Sequence, residues 1–277
     1  KKITLKDDAF IYSLSNFIIG QIDNDKKVFI SGNKDNYGGG LFIDSQKTSQ
    51  IFNTEFSFLS GYGAGVGNTN TNFLEKFLIY GSINFYNGHV IFKNTDFMNI
   101  TSEDALNLIN IKFDLDNVNF HNISNDGIDV DFGNGSISNS SFNQIGNDAI
   151  DLSGSNSSII KNYIGNAGDK GVSIGESSNV IIDKLEIVNS YIGVAVKDGS
   201  VVKIQNSLFK NGDYGVAVYH KKNEYENINK IYLKDVEMLN FKENIIKNKK
   251  SFINSKMNLK IQNYKNKKIL SKLYEKP

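Results

Sequence analysis

The stretch Asp126-Gly127-Ile128-Asp129-Val130-Asp131 decides the fold, because its pattern returns at a fixed interval of 22 residues. Each return has a small residue followed by apolar residues at the first and third positions after it. The small residues are Ala105, Gly127, Ala149, Gly171, Gly193 and Gly215. Self-similarity at a fixed period of roughly 20 to 50 residues is typical of solenoids, in which each repeat stacks on its neighbours.

Two further columns follow the same period. An apolar column, predicted to stack in the core, contains Phe97, Phe120, Phe142, Ile164, Ile187 and Phe209. An asparagine column, interrupted by Gln144, contains Asn99, Asn122, Asn166, Asn189 and Asn211. Asparagine tolerates the left-handed backbone conformation and bonds readily to nearby backbone groups. We therefore expect this column to form a ladder of turns.

Apolar residues alternate with polar ones inside each repeat, as in Ile128-Asp129-Val130-Asp131-Phe132. Alternation with a period of two marks strands with one buried face, and no helical pattern lies between them. Equivalent strands must then lie parallel, one coil above the next. The sequence predicts an all-β fold, a right-handed single-stranded parallel β-helix with coils of about 22 residues.

The organisation along the chain follows from where this period holds. We expect residues 1–39 to form an N-terminal cap and the first strands, and residues 40–225 to form the solenoid. A glycine-rich loop is predicted to interrupt it at 58–80. Residues 226–277 should hold irregular final coils and a lysine-rich cap, since an open β-helix end is an aggregation site.

Composition limits the remaining possibilities. The 277 residues carry a net charge of +1 and contain no cysteine, so stability cannot depend on disulfides. No apolar run is long enough to span a membrane, and the N-terminus lacks the apolar core of a signal peptide. We expect an export signal to have been cleaved or to lie upstream. The basic C-terminal end either reflects lysine-rich genome composition or meets an anionic polymer.

The residues that face outward concentrate acidic side chains on one patch. Counted from the small residue, positions two and four point away from the core and the preceding residue lies at the corner. These three positions bring five aspartates together, namely Asp126, Asp129, Asp131, Asp148 and Asp151. Lys170, Glu176, Lys197, Tyr219 and His220 lie on the following coils. Carboxylates about 5 Å apart are costly unless one is protonated or a cation lies near.

Three interpretations of this patch stay open. Asp126 and Asp148 can cap the strand entry by accepting backbone N–H bonds. The aspartates can instead contact a substrate or take part in catalysis. As a third possibility, Asp126, Asp129, Asp131, Asp148 and Asp151 can bind Ca²⁺, which needs about six to eight oxygen ligands.

The coils around this patch resemble the active-site coils of polygalacturonase-type, pectin-lyase-like proteins. The likeness rests on Asn125-Asp126-Gly127, Asn147-Asp148-Ala149, Lys170-Gly171-Val172 and Val196-Lys197. It implies catalytic carboxylates at Asp126 and Asp148. Asn147 replaces the first aspartate of the family's pair, Lys170 its histidine and Ala195 its arginine, so the hydrolase activity is not carried over.

A closer likeness is to bacterial β-helix proteins that are found with spore-coat-kinase-like domains. It is carried by Ser102-Glu103-Asp104-Ala105-Leu106-Asn107, Gly175-Glu176-Ser177-Ser178 and Lys221-Lys222-Asn223-Glu224-Tyr225. This resemblance implies the fold and no assigned reaction.

Together the residues favour an extracellular or cell-surface bacterial β-helix that interacts with a polysaccharide. If it is an enzyme, we expect a lyase or epimerase in which Lys170 or Lys197 is the base and Asp126 and Asp148 assist. Asp129, Asp151, Glu176, Tyr219 and His220 would bind the substrate. The alternative is a non-catalytic surface module whose aspartates are structural or bind Ca²⁺. We expect no nucleic-acid partner, and a monomer or part of a longer chain.

Overall fold

The computed structural model describes residues 1–6, 9–22, 26–61, 79–257 and 259–274. Residues 62–78 of the predicted glycine-rich loop lie outside the described residues. Twenty strands form one sheet that winds on itself, and all pairs of named strands are parallel. The predicted parallel β-helix is confirmed.

The four longest strands, of 19 or 20 residues each, lie between residues 156 and 248. In the N-terminal half the strands are β1 (Lys2–Thr4), β2 (Phe10–Ser13), β3 (Ile18–Ile19), β4 (Val28–Ser31), β5 (Gly40–Asp44), β6 (Thr48–Ser57), β7 (Gly81–Tyr86), β8 (His89–Ile100), β9 (Asp104–Ile109) and β10 (Lys112–Ile123). The rest are β11 (Asp126–Asp131), β12 (Asn134–Ser138), β13 (Ser141–Ile145), β14 (Ile150–Ser153), β15 (Asn156–Gly175), β16 (Asn179–Lys197), β17 (Val201–Tyr219), β18 (Lys230–Asn248), β19 (Phe252–Ser255) and β20 (Ile261–Tyr264). One helix, α1 (Asn266–Tyr274), follows the last strand.

The 22-residue register holds in the strand pairing. Ile128 pairs with Leu106 on the coil before it and with Ile150 on the coil after it. The apolar positions predicted to point inward are fully buried from Leu106 to Val218. The small residues precede them because the coils approach closely there. A Cβ added at Gly127 would lie 2.6 Å from the carbonyl oxygen of Ala149.

The predicted apolar column forms a continuous stack in the core. The rings of Phe97 and Phe120 are parallel, with centroids 4.5 Å apart, and those of Phe120 and Phe142 are 4.8 Å apart. Ile164, Ile187 and Phe209 continue the column in register and are fully buried. Each ring thus buries the face of the next.

The asparagine column forms the predicted ladder of turns, but its bonds join side-chain amides of adjacent coils rather than side chains and backbone. Every member, and Gln144 between them, has a positive φ near 55°. Asn189 Nδ2 donates to Asn166 Oδ1 at 2.9 Å, and Asn211 Nδ2 donates to Asn189 Oδ1 at 3.0 Å. At the interruption Asn166 bonds to Asn143 instead, at 3.0 Å.

The C-terminal segment differs from the expectation. β18 continues the regular coil in register with β17, so residues 230–248 are not irregular. Helix α1 packs on the outer face of the coils, where Ile269 and Leu273 are buried against Ala195, Ala217 and Ile246. An apolar platform on that face, rather than the open end of the last coil, is what the helix covers. Within the described ranges, no helix is long and apolar enough to cross a membrane.

Candidate functional site

The outward-facing residues of β9, β11, β14 and β15 form a line parallel to the solenoid axis. Backbone pairing joins Asn107 to Asp129, Asp129 to Asp151, and Asp151 to Ser173. We call these four residues the polar row. Equivalent positions on adjacent coils are about 4.8 Å apart, so the row presents one polar group per coil.

A second line runs beside the polar row at the corner where each strand begins. It consists of Asp104, Asp126, Asp148 and Lys170, and we call it the corner column. Asp126 Oδ1 accepts the backbone N–H of Asp148 at 2.9 Å, and Asp148 Oδ1 accepts that of Lys170 at 3.1 Å. Both carboxylates therefore cap the next coil, the first of the three interpretations of the patch.

Lys170 is held by two buried carboxylates. Its Nζ lies 2.5 Å from Asp169 Oδ2 and 3.2 Å from Asp148 Oδ1, and its side chain is 7% exposed. Burial lowers the pKa of Lys170, but the charges of Asp148 and Asp169 outweigh it and the pKa is raised. This pairing disfavours Lys170 as the predicted base, because a base must be neutral to accept a proton.

The polar row contains buried polar atoms that no described residue satisfies. They are both side-chain atoms of the Asn107 amide, Asp151 Oδ1 and Ser173 Oγ, joined at the corner by Asp104 Oδ2. Lys197 Nζ approaches Asp151 Oδ1 only to 4.0 Å. Buried polar groups in native proteins are almost always bonded, so such a line indicates groups arranged for a ligand or solvent.

Burial and mutual repulsion keep the carboxyl groups of this face easily protonated. Burial first, and then the charge of Asp126, raise the pKa of Asp104 to about 8. Burial raises the pKa of Asp129, and the charges of Asp104 and Asp151 add to it. The pKa values of Asp126, Asp131 and Asp148 are also raised, in each case mainly by burial.

The turns at the far side of the strands provide a rim. Glu176 is paired with Lys222 and accepts a hydrogen bond from the Tyr225 hydroxyl at 3.1 Å. Burial is the main cause that raises the pKa of Asp131, and the negative charge of Glu176 is the second. The rim therefore lies close to the aspartates. Lys197 extends over Gly175, where an added Cβ would lie 3.3 Å from Lys197 Cε.

Two predicted substrate-binding residues have other roles. Tyr219 is fully buried next to helix α1, and its hydroxyl is 3.0 Å from that of Tyr274. His220 is bound by its neighbours, with Nε2 2.9 Å from Asn227 O and Nδ1 2.9 Å from Asn248 Nδ2. Because the Tyr219 hydroxyl is bonded to Tyr274 of helix α1, Tyr219 has a packing role here and its contact with a substrate stays a prediction. His220 holds the loop after β17 in place.

The structure adds Asp104, Asn107 and Ser173 to the candidate site. The sequence carried a signal for them, because they occupy the same two columns as Asp126, Asp129 and Asp151. Among the described residues, no group of three or more acidic or histidine side chains is arranged to hold a metal ion. The Ca²⁺ site stays a prediction.

Comparisons with known proteins agree on the architecture. A family model described as a right handed beta helix region matches residues 105–267. The catalytic domain of a GH87 α-1,3-glucanase in complex with tetrasaccharides superposes with a TM-score of 0.53 at 11% identity, covering 96% of this chain. This chain spans 62% of the length of that domain.

A second solved structure is the A-module of the mannuronan C-5 epimerase AlgE4 from Azotobacter vinelandii. It superposes with a TM-score of 0.26 at 10% identity, covering 88% of each chain. No curated protein matches the chain. The comparisons support the β-helix fold and give no support to the link with spore-coat-kinase-like domains.

Proposed function

Because this chain belongs to the family of right-handed β-helix proteins, we propose that its polar row binds an extracellular or cell-surface polysaccharide. The observation that carries the proposal is the line of buried, unbonded polar atoms of Asn107, Asp151 and Ser173 in the described part of the chain. Sugar hydroxyl groups donate and accept hydrogen bonds, and a linear glycan repeats them along its length. Asp129 and Asp151 are the partly exposed members of the row, so a ligand of this kind would approach the row through them.

The charge of the face favours a neutral glycan over a polyuronate. Asp126, Asp129, Asp131, Asp148 and Asp151 lie on two adjacent coils. They would repel a chain of carboxylates, since like charges at these distances destabilise one another. The superposed glucanase domain is named for a neutral glucan, which supports the same choice.

Acid catalysis is the reaction that these side chains support best. The pKa of Asp104, about 8, keeps its carboxyl group protonated at neutral pH, so it can donate a proton to a glycosidic oxygen. Glycoside hydrolysis also needs a second carboxylate to activate water or attack the sugar. Asp151, 4.0 Å from Lys197 Nζ, is the candidate for that role.

A lyase or epimerase, the reaction favoured by the sequence, is the second candidate. Its base would be Lys197, because Lys170 is held protonated by Asp148 and Asp169. The side chain of Lys197 is only 9% exposed and has one carboxylate near it, at 4.0 Å. The surrounding aspartates repel a uronic substrate, so a cation or a second lysine is needed to bring the substrate close to Lys197.

Binding and turnover can be measured with three probes, namely α-1,3-linked glucotetraose, polygalacturonate and mannuronan. We expect the neutral tetrasaccharide to bind in isothermal titration calorimetry, and new reducing ends to appear if the protein is catalytic. Asp104→Asn and Asp151→Asn should remove turnover, whereas Asp235→Asn, at an exposed position of β18, should not. An unsaturated uronide product would favour the lyase instead.

Absence of binding to all three probes would contradict the proposal. Binding to the tetrasaccharide without turnover would support the non-catalytic alternative. Melting the protein with Ca²⁺ and with a chelator tests the remaining hypothesis, because an ion that binds only the folded state raises the melting temperature.

A further inference from the structure

The register column of the polar row changes its chemistry partway along the solenoid. After Ser173 the same column continues as Ala195, Ala217 and Ile246. The polar half has partly exposed aspartates, whereas the apolar half is completely buried. The column also continues before Asn107, as Asn84 and then Phe42, both of which are fully buried. The polar segment therefore lies between two buried ends, and the end after Ser173 is apolar.

Helix α1 occupies the apolar segment. Ile269 and Leu273 pack on Ala195, Ala217 and Ile246, whose side chains lie beneath the helix. Alanine at two consecutive coils leaves space for a helix to approach the sheet, and burying the two large apolar side chains favours docking.

Polar contacts fix the helix at both sides of the platform. The Tyr191 hydroxyl donates to the backbone oxygen of Lys272 at 3.0 Å, and Lys272 Nζ lies 3.6 Å from Glu243 Oε1. Tyr274 bonds to Tyr219 at 3.0 Å. With these three polar contacts in addition to its apolar packing, α1 is fixed on this face.

From this arrangement we infer that α1 closes the Ser173 end of the polar row, so that the protein recognises the end of a glycan chain rather than its interior. The inference rests on the proposed function. The polar row covers four coils, from Asn107 to Ser173, or about 14 Å at the usual strand spacing. A linear ligand that satisfies these groups lies along the axis, and the next position in its path is filled by the helix.

The test uses the full chain and α-1,3-linked glucotetraose in three forms, namely unmodified, tagged at the reducing end, and blocked at the non-reducing end. We expect one modification to weaken binding about tenfold or more in isothermal titration calorimetry, equivalent to about 1.4 kcal/mol. The other should be tolerated, because that end points away from α1. Equal tolerance of both modifications would overturn the inference.

A variant that detaches α1 tests whether the helix itself limits how far a glycan extends. Ile269→Asp with Leu273→Asp should release α1 and make both modified tetrasaccharides bind equally well. Lys267→Asp, on the exposed side of the same helix, is the matched control and should bind like the unaltered protein. Retained discrimination in the released variant, with a normal β-sheet circular dichroism spectrum, would contradict the role of α1.

The two proposals fail differently. If the unaltered protein binds none of the three tetrasaccharides, the choice of a neutral glycan fails and the inference with it. If it binds all three equally, the glycan site stands and only the closure by α1 is wrong. The unaltered protein alone decides this, so the outcome does not depend on the folding of a variant.

Discussion

Asp104 and Asp126 occupy equivalent positions on adjacent coils, yet their carboxyl groups have different surroundings. Asp126 Oδ1 accepts hydrogen bonds from Asn147 Nδ2 at 2.7 Å and from the backbone of Asp148 at 2.9 Å. Asp104 Oδ2 is buried and has no such partner in the described part of the chain. The same residue type thus caps the following coil at Asp126 and has an unbonded carboxyl oxygen at Asp104.

The pH dependence of stability should reveal the acid at Asp104. Its folded pKa of about 8 exceeds the ordinary 3.8, so the folded state holds the proton more tightly. The free energy of unfolding must then fall as the pH rises from about 4 to about 8. We expect Asp104→Asn to stabilise the protein by about 1 to 3 kcal/mol at pH 8 and by less at pH 5. Urea unfolding at both pH values measures the difference, with Asp235→Asn as control.

Lys170 should be important for stability. Lys170→Met leaves Asp148 and Asp169 buried without their cation, and we expect a loss of about 3 to 5 kcal/mol at pH 7. The loss should shrink as the pH falls, because Asp148, with a pKa raised to about 7, becomes neutral. Lys203→Met, at an exposed position, is the control. A loss independent of pH would show that packing, not charge, explains the effect.

The turn between two strands is the element in which a single residue type is most constrained. Asn189 satisfies two requirements at once, since its φ is 59° and its amide bonds both to the coil before and to the coil after. Glycine can meet the first requirement and alanine neither. The ladder therefore selects asparagine by conformation and by hydrogen bonding together.

Two substitutions at this position separate the two contributions. We expect Asn189→Gly to lose the ladder bonds, about 0.5 to 1.5 kcal/mol each. Asn189→Ala should lose about 1 to 2 kcal/mol more, because alanine pays a steric penalty in the left-handed conformation. Chemical denaturation measures both variants. Equal stability of the two would show that backbone conformation is not limiting there.

The aromatic stack is the corresponding element of the core. Phe120 stacks on Phe97 and Phe142 at 4.5 and 4.8 Å, so Phe120→Ala removes contacts on two coils. We expect a loss of about 3 to 5 kcal/mol. His121→Ala, at the exposed neighbouring position, should change stability by less than about 0.5 kcal/mol. A small loss of stability in Phe120→Ala would mean that the neighbouring coils collapse into the cavity left by the ring.

At the scale of the whole molecule, the period predicted the coils, the buried positions and the asparagine ladder, because all three depend on local repetition. It did not distinguish the capping role of Asp126 from the unbonded state of Asp104, which depends on Asn147 of the next coil. It also missed the burial of Tyr219, because Tyr274 covers it from 55 residues away. A contact between residues that do not follow the 22-residue period cannot be predicted from that period.

Each coil contacts mainly its neighbours, so local opening should begin at the ends of the solenoid. In hydrogen exchange we expect β1 to β3 at one end and β19 and β20 at the other to exchange first. These strands are short and partly exposed, whereas β15 to β17 are 19 or 20 residues long. Exchange of all coils at one common rate would instead indicate a single cooperative unit.

The corner after β17 shows how the solenoid accommodates added length. Asn240 Nδ2 bonds to Asn211 Oδ1 at 3.0 Å although they are 29 residues apart, whereas the preceding rung joins residues 22 apart. The additional residues form the loop between Tyr219 and Lys230, and the coils on either side of the loop stay in register. Evolution can therefore vary the length and chemistry of this corner, one residue at a time, without redesigning the core. For protein engineering it is a position where a new recognition loop can be grafted beside the acidic face.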